Sequence, residues 1–178
     1  INGRHVEFPG YFDQWIWINT DSRRKLAFEG SIDWYNYFEK GRSWLYTDLN
    51  TRYRFSDRFN LNYGMFYKPS FKEQGFVDMD GDAIIFGQRD RVTIENSFGG
   101  NYIFNNKMSL NLNFRHYFSE ASYSKLYRLE QNGQLTEEPQ RENTYDVTFN
   151  TWNLDLKFSW CFSPGSQLTF LYRNALVR

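Results

Sequence analysis

The chain has 178 residues, 21 basic and 21 acidic side chains and no formal net charge, so nothing in it favours broad attraction to nucleic acid. Phe, Tyr and Trp make up 21% of the residues, a density that suits pleated strands better than an aliphatic, alanine-rich helical core. No run of about 20 apolar residues is present to form a transmembrane helix, and the single cysteine, Cys161, excludes an intrachain disulfide.

Period-two alternation predicts eight strands, at 11–19, 25–38, 43–55, 59–68, 89–104, 108–119, 144–162 and 167–176. Leu26, Phe28, Ile32 and Trp34 alternate with Glu29, Ser31, Asp33 and Tyr35. Leu45, Leu49, Tyr53 and Phe55 alternate with Tyr46, Asp48, Asn50, Arg52 and Arg54. Further along, Val92, Ile94, Phe98 and Tyr102 oppose Arg89, Arg91, Glu95 and Ser97. Leu110, Leu112 and Phe114 oppose Asn111, Asn113 and Arg115, and Leu154, Leu156 and Phe158 oppose Asp155 and Lys157. Helical spacing fits none of these segments. The fold class is all-β, an antiparallel up-and-down meander.

Short connections are expected at 20–24, 56–58, 105–107 and 163–167, each of the last three flanked by bulky apolar shoulders. The connections 40–42, 69–88 and 120–143 fall on the other end, the latter two long and polar, with an Asn132-Gly133 hairpin turn in the last. A soluble sandwich and an outer-membrane barrel both accommodate such strands. Three features favour the barrel: strands beyond the usual length of about 5–6 residues, loops that are long on one end only, and rings gathered near the short turns. The mean hydropathy of −0.72 is compatible with this, because only every second residue of a membrane strand faces lipid.

Four stretches, IFGQRDRVTIENS, MSLNLNFRHYFS, FNTWNLDLKFSW and FSPGSQLTFLYRNA, resemble the C-terminal barrel region of a Gram-negative outer-membrane family of unknown function. Its members usually carry an N-terminal carbohydrate-binding family 9-like domain. The resemblance implies a bacterial outer-membrane location, membrane lipid as a partner and saccharide binding or uptake as the setting. It implies no catalytic residue. The opening INGRHVEF has neither Met nor an apolar leader, and with short turns on the periplasmic side the first strand descends and the eighth ascends. A single barrel segment over 1–178, part of a larger barrel with remaining strands or subunits as partners, is therefore expected.

The polar residues expected to face the lumen are Asp48, Asn50, Arg52, Arg54, Arg89, Arg91, Glu95, Asn111, Asn113, Arg115, Asp155 and Lys157. They would either filter polar solutes or pair across strands and hold a packed interior. Asp78, Asp80 and Asp82 form a candidate calcium site, set against the plainer reading of a solvated acidic turn. His5 and His116 lack metal-ligand neighbours, and no G-x-S-x-G or Ser–His pairing is evident, so neither enzyme activity nor a cofactor is expected. Tyr11, Trp15, Trp17, Trp34, Tyr35 and Tyr37 suit either a girdle, cross-strand packing or sugar stacking. Pore, receptor or membrane anchor is the leading function. A soluble β-sandwich glycan-binding module and a structural subunit of a larger outer-membrane assembly are the alternatives.

Overall fold

The computed structural model describes residues 5–140, 142 and 144–178. Residues 1–4 of the N-terminal opening, and 141 and 143 of the last long connection, lie outside the described residues.

The chain folds into one antiparallel sheet. Its strands are β1 (Tyr11–Asn19), β2 (Leu26–Tyr37), β3 (Ser43–Ser56), β4 (Phe59–Asp80), β5 (Ala83–Asn105), β6 (Met108–Leu129), β7 (Leu135–Glu137), β8 (Val147–Ser163) and β9 (Ser166–Val177). Neighbours follow chain order, β1-β2-β3-β4-β5-β6-β8-β9, with the short β7 paired to β6 above β8. The sheet is not closed: β1 and β9 each pair along one edge only. There is one layer, not the two packed sheets of a sandwich, among the described residues.

Two expectations are corrected. Among the described residues there are nine strands, not eight. The segments 69–88 and 120–143 are mostly strand: β4 and β5 run on to a tight turn at Gly81-Asp82, and β6 continues to Leu129. Their alternation is broken for a physical reason. Register shifts fall between Ser70 and Glu73, between Phe76 and Asp78, and between Gln88 and Arg89, and each extra residue flips the parity of the residues beyond it. At the first of these Lys72 adopts φ 51°, with its amide donating to Asp90 Oδ1 at 2.8 Å. The adjacent Ile84 and Ile85 are also both fully buried, so this stretch is covered on both sides and reads as an apolar run. At the other end, β8 begins at Val147 instead of 144.

The short turns are made by local chemistry. Between β8 and β9 the pair Ser163–Ser166 encloses Pro164-Gly165, where proline fixes the first turn residue and Gly165 takes φ 75°. From there a belt of rings crosses the turn end of the apolar face. Tyr53, Phe55, Phe59, Tyr102, Phe104, Phe158 and Phe170 succeed one another at centroid distances from 4.6 to 6.5 Å.

Apart from Ala27, the buried apolar residues among those described lie towards the opposite end. Ile84, Phe86 and Leu129 form a small core against Val6, Tyr127 and Leu135. The segment before β1 supplies Val6 by crossing over: Phe38 N–H donates to the Gly10 carbonyl at 2.8 Å, and Glu7 N–H donates to the Gly133 carbonyl at 3.1 Å. Three residues reach about 10 Å at most. In a flat sheet, the five intervals from β2 to β7 would span about 24 Å. The upper ends of these strands are therefore drawn together, and the N-terminal segment straps them.

Candidate functional site on the polar face

Residues paired across strands lie on the same side of a sheet, so the register assigns every side chain to a face. One face carries, on successive strands, Phe12, Ile16 and Ile18; Phe28, Ile32 and Trp34; Leu45, Leu49 and Tyr53; Leu61, Tyr63, Met65 and Tyr67. It continues through Val92, Ile94, Phe98 and Tyr102, then Leu110, Leu112 and Phe114, then Trp152, Leu154, Leu156 and Phe158, and ends on Phe170, Tyr172 and Leu176. This face is not a core. Ile16 is 62% exposed, Ile32 49% and Phe170 60%, and no second layer covers them among the described residues.

The other face is polar and is read most simply as cross-strand rows. The row Asn50–Gly64–Ser97–Arg115–Asn153 lies beside Arg52–Asn62–Gly99–Asn113–Asp155–Arg173, and below that runs Arg54–Asn60–Asn101–Asn111–Lys157. Above them lies Asp48–Phe66–Glu95–Tyr117–Thr151, and higher still are Arg91, opposite Ser70, and Arg89, opposite Glu73 and Tyr123. A cavity of about 690 Å³ lies over the first two rows, lined among others by Glu29, Asn50, Arg52, Asn62, Arg115 and Asp155. Gly64 lies at its floor, where a Cβ would come 2.5 Å from Ser97 Oγ and 2.8 Å from Asn50 Oδ1 and push those side-chain ends aside.

The charges are unevenly matched. Arg115 Nε lies 3.1 Å from Glu95, Arg173 Nε 2.8 Å from Asp155, and Asn50 donates to Asp48 at 2.6 Å. Arg52 donates to the Ser22 carbonyl, leaving its buried Nε without a partner. Arg54 and Lys157 have no carboxylate partner among the described residues, so the turn end of this face is cationic. Above the apolar band Glu73 bridges Arg89 at 3.1 Å and Arg91 at 2.7 Å. Burial works against the Arg89 charge, but the Tyr123 hydroxyl and Glu73 outweigh it and hold the guanidinium protonated beyond its usual range.

The remaining candidates separate. Asp78 Oδ1 accepts from the Met79 amide at 2.8 Å and its Oδ2 from the Tyr145 hydroxyl at 3.4 Å, while Asp82 sits in the turn. Among the described residues no group of three or more His, Cys, Asp or Glu side chains is disposed to hold a metal ion. His116 lies on the apolar face and shares a 3.0 Å hydrogen bond with Asn150. Cys161 is a free, exposed thiol paired with Gln167.

The ring-rich beginning divides between faces. Trp34 is on the apolar face, whereas Tyr11, Trp15, Trp17, Tyr35 and Tyr37 share the polar one. Trp44 and Tyr46 join them on β3. The clue was present in the alternation, since Tyr35 has the parity of Asp33 and Tyr46 that of Asp48.

The molecule is thus a single-layer antiparallel meander with one face apolar and exposed and the other polar, charged and ring-lined. Over residues 1–178 it matches the model of the family described as Domain of unknown function (DUF5916), and the chain belongs to that family. No curated protein and no solved structure shows significant similarity to it.

Proposed function

We propose that the chain is a membrane-spanning part of a β-barrel in the bacterial outer membrane, non-catalytic, acting as a pore, receptor or anchor with its polar face inward. The observation that carries this reading is the apolar band. Runs of roughly ten residues, at 26–34, 45–55, 59–69, 92–104, 108–118, 152–162 and 168–176, present half-buried or exposed apolar side chains at one level across the sheet. That is the height a tilted strand needs to cross the hydrocarbon region. The ring belt from Tyr53 to Phe170 runs along its lower margin, where amphipathic rings settle at a membrane interface.

The unpaired edges of β1 and β9 fit only if they are satisfied within the membrane, because each orphaned backbone group in hydrocarbon costs several kcal/mol. They pair with one another or with further strands, which makes additional strands or subunits the natural partners. Saccharide handling, implied by the resemblance, is the second reading and is favoured by the exposed rings of the polar face. Reconstitution tests the first. The protein should require detergent, insert into phospholipid vesicles and migrate differently on a denaturing gel before and after heating. A monomer that stays in the aqueous phase without detergent overturns it.

A further inference from the structure

Between the levels of Asn19 and Tyr11 the polar face of β1–β3 carries Asp13, Glu29, Asp33 and Asp48 and no lysine or arginine. Arg52, Arg54 and Lys157 lie at the turn end, and Lys68 comes from the neighbouring β4 to reach the rings of β3. Rings fill the spaces between these carboxylates. In register, Asp33 stands between Trp15 and Tyr46, and Tyr35 stands between Asp13 and Trp44.

Two basic side chains of the protein itself show what this wall accepts. Lys68 Nζ sits 4.5 Å from the Tyr46 ring centroid and 5.2 Å from that of Trp44. The Arg42 guanidinium sits 4.5 Å from the Tyr37 ring. These distances lie within the range at which a ring quadrupole attracts a cation. On the β1 side the rings are open to solvent: Trp15 is 65% exposed and Tyr11 53%. Beside them the half-buried Asp33 carboxylate interacts with the Tyr35 hydroxyl, and its Oδ1 is buried with no hydrogen-bond partner.

We propose that the polar face of β1–β3, centred on Asp33 with Trp15 and Tyr35, binds organic cations, solutes bearing an ammonium or guanidinium group. The carboxylates supply the charge and the ring faces replace water around the cation. An anion is repelled by the same four carboxylates. A neutral saccharide could stack on the rings but would gain nothing from their negative charge, and that difference separates the two ligands. The inference rests on the reading that this face lines a solute-accessible interior.

The test uses the full chain folded in detergent micelles, with tetraethylammonium and arginine amide as probes and maltotriose as the neutral comparison. Tryptophan fluorescence should respond saturably to both cations, and the response should weaken as sodium chloride is raised. Asp33→Asn should weaken tetraethylammonium binding about tenfold or more, the equivalent of one lost charge contact. Trp15→Ala, at an exposed ring, should do the same without disturbing the fold, and it decides the matter if Asp33→Asn misfolds. Unchanged binding in a folded variant, or a response to maltotriose with none to either cation, overturns the site. Vesicle insertion is scored separately. A protein that inserts but binds no cation overturns this inference alone, and one that binds cations but never inserts overturns the membrane reading alone.

Discussion

Across the β4–β5 pair the Glu73 carboxylate accepts the Arg89 Nε–H at 3.1 Å, while its other oxygen lies 2.7 Å from Arg91 Nη2. The Glu73 side chain is 10% exposed and those of Arg89 and Arg91 are 19% and 28% exposed, so two partly buried guanidiniums share a single carboxylate. Glu73→Ala should destabilise the upper part of the sheet by about 3 kcal/mol, the low end for stripping a partner from a buried charge. Glu73→Gln keeps an acceptor and should cost less. Urea unfolding, together with hydrogen exchange of the amides at 83–91, measures both. An alanine variant as stable as the parent would show that water already satisfies the two arginines.

The same region depends on a missing side chain. A Cβ at Gly87 would fall on the Tyr123 ring and 2.8 Å from Val77 Cγ2. Tyr123 also contacts Arg89 through its hydroxyl, so displacing the ring disturbs the charge network. Gly87→Ala should cost about 1–3 kcal/mol through overpacking. Gly64→Ala meets only the flexible ends of Ser97 and Asn50 and should cost less. If Gly64→Ala proves the more damaging in thermal unfolding, the upper extension is packed more loosely than the Tyr123 and Val77 contacts imply.

Where a strand obeys strict alternation, its residues announce both its existence and its facing. That is why β3, and β6 from Met108 as far as 119, could be placed. The upper halves of β4 and β5 could not. Two bulges shift the parity of β4, a third puts the extra Ser124 into β6, and Ile84, Ile85 and Phe86 of β5 are consecutive buried residues with no alternation to read. Pairing partners such as Glu95 with Arg115 share a row that no local pattern encodes, because register between β5 and β6 sets it. The strap from Glu7 to Gly133 is a contact over most of the length of the meander, and short-range periodicity carries no trace of it.

The strand β7 has only three residues, and an ion pair fastens it to β6. Glu137 accepts from Lys125 Nζ at 2.8 Å, and this hydrogen bond lifts the Lys125 ammonium above its ordinary range. A folded pKa raised above the unfolded one stabilises fully below the unfolded value, and the contribution is lost as pH rises through the folded value. The pair should therefore hold β7 at neutral pH and release it in strong alkali. Acetylation of Lys125 read by mass spectrometry, as a function of pH, should show a midpoint that Glu137→Gln moves downward. Coincident midpoints in the two proteins would mean that the contact is not formed in solution.

Adjacent residues on β6 test which face meets lipid. Leu112 lies in mid-band on the apolar face, opposite Gly100 and Leu156. Asn113 points to the polar face, opposite Gly99 and Asp155. In a bilayer, Leu112→Arg should cost roughly 2–4 kcal/mol, because the guanidinium is placed near the midplane on a lipid-facing surface. Asn113→Arg enters a polar row beside a carboxylate and should be near neutral. Both are read from urea unfolding of vesicle-inserted protein, with insertion yield as a second measure. Should Asn113→Arg prove the costlier of the two, the exposed apolar band faces something other than lipid, and the polar row is the packed side of the sheet.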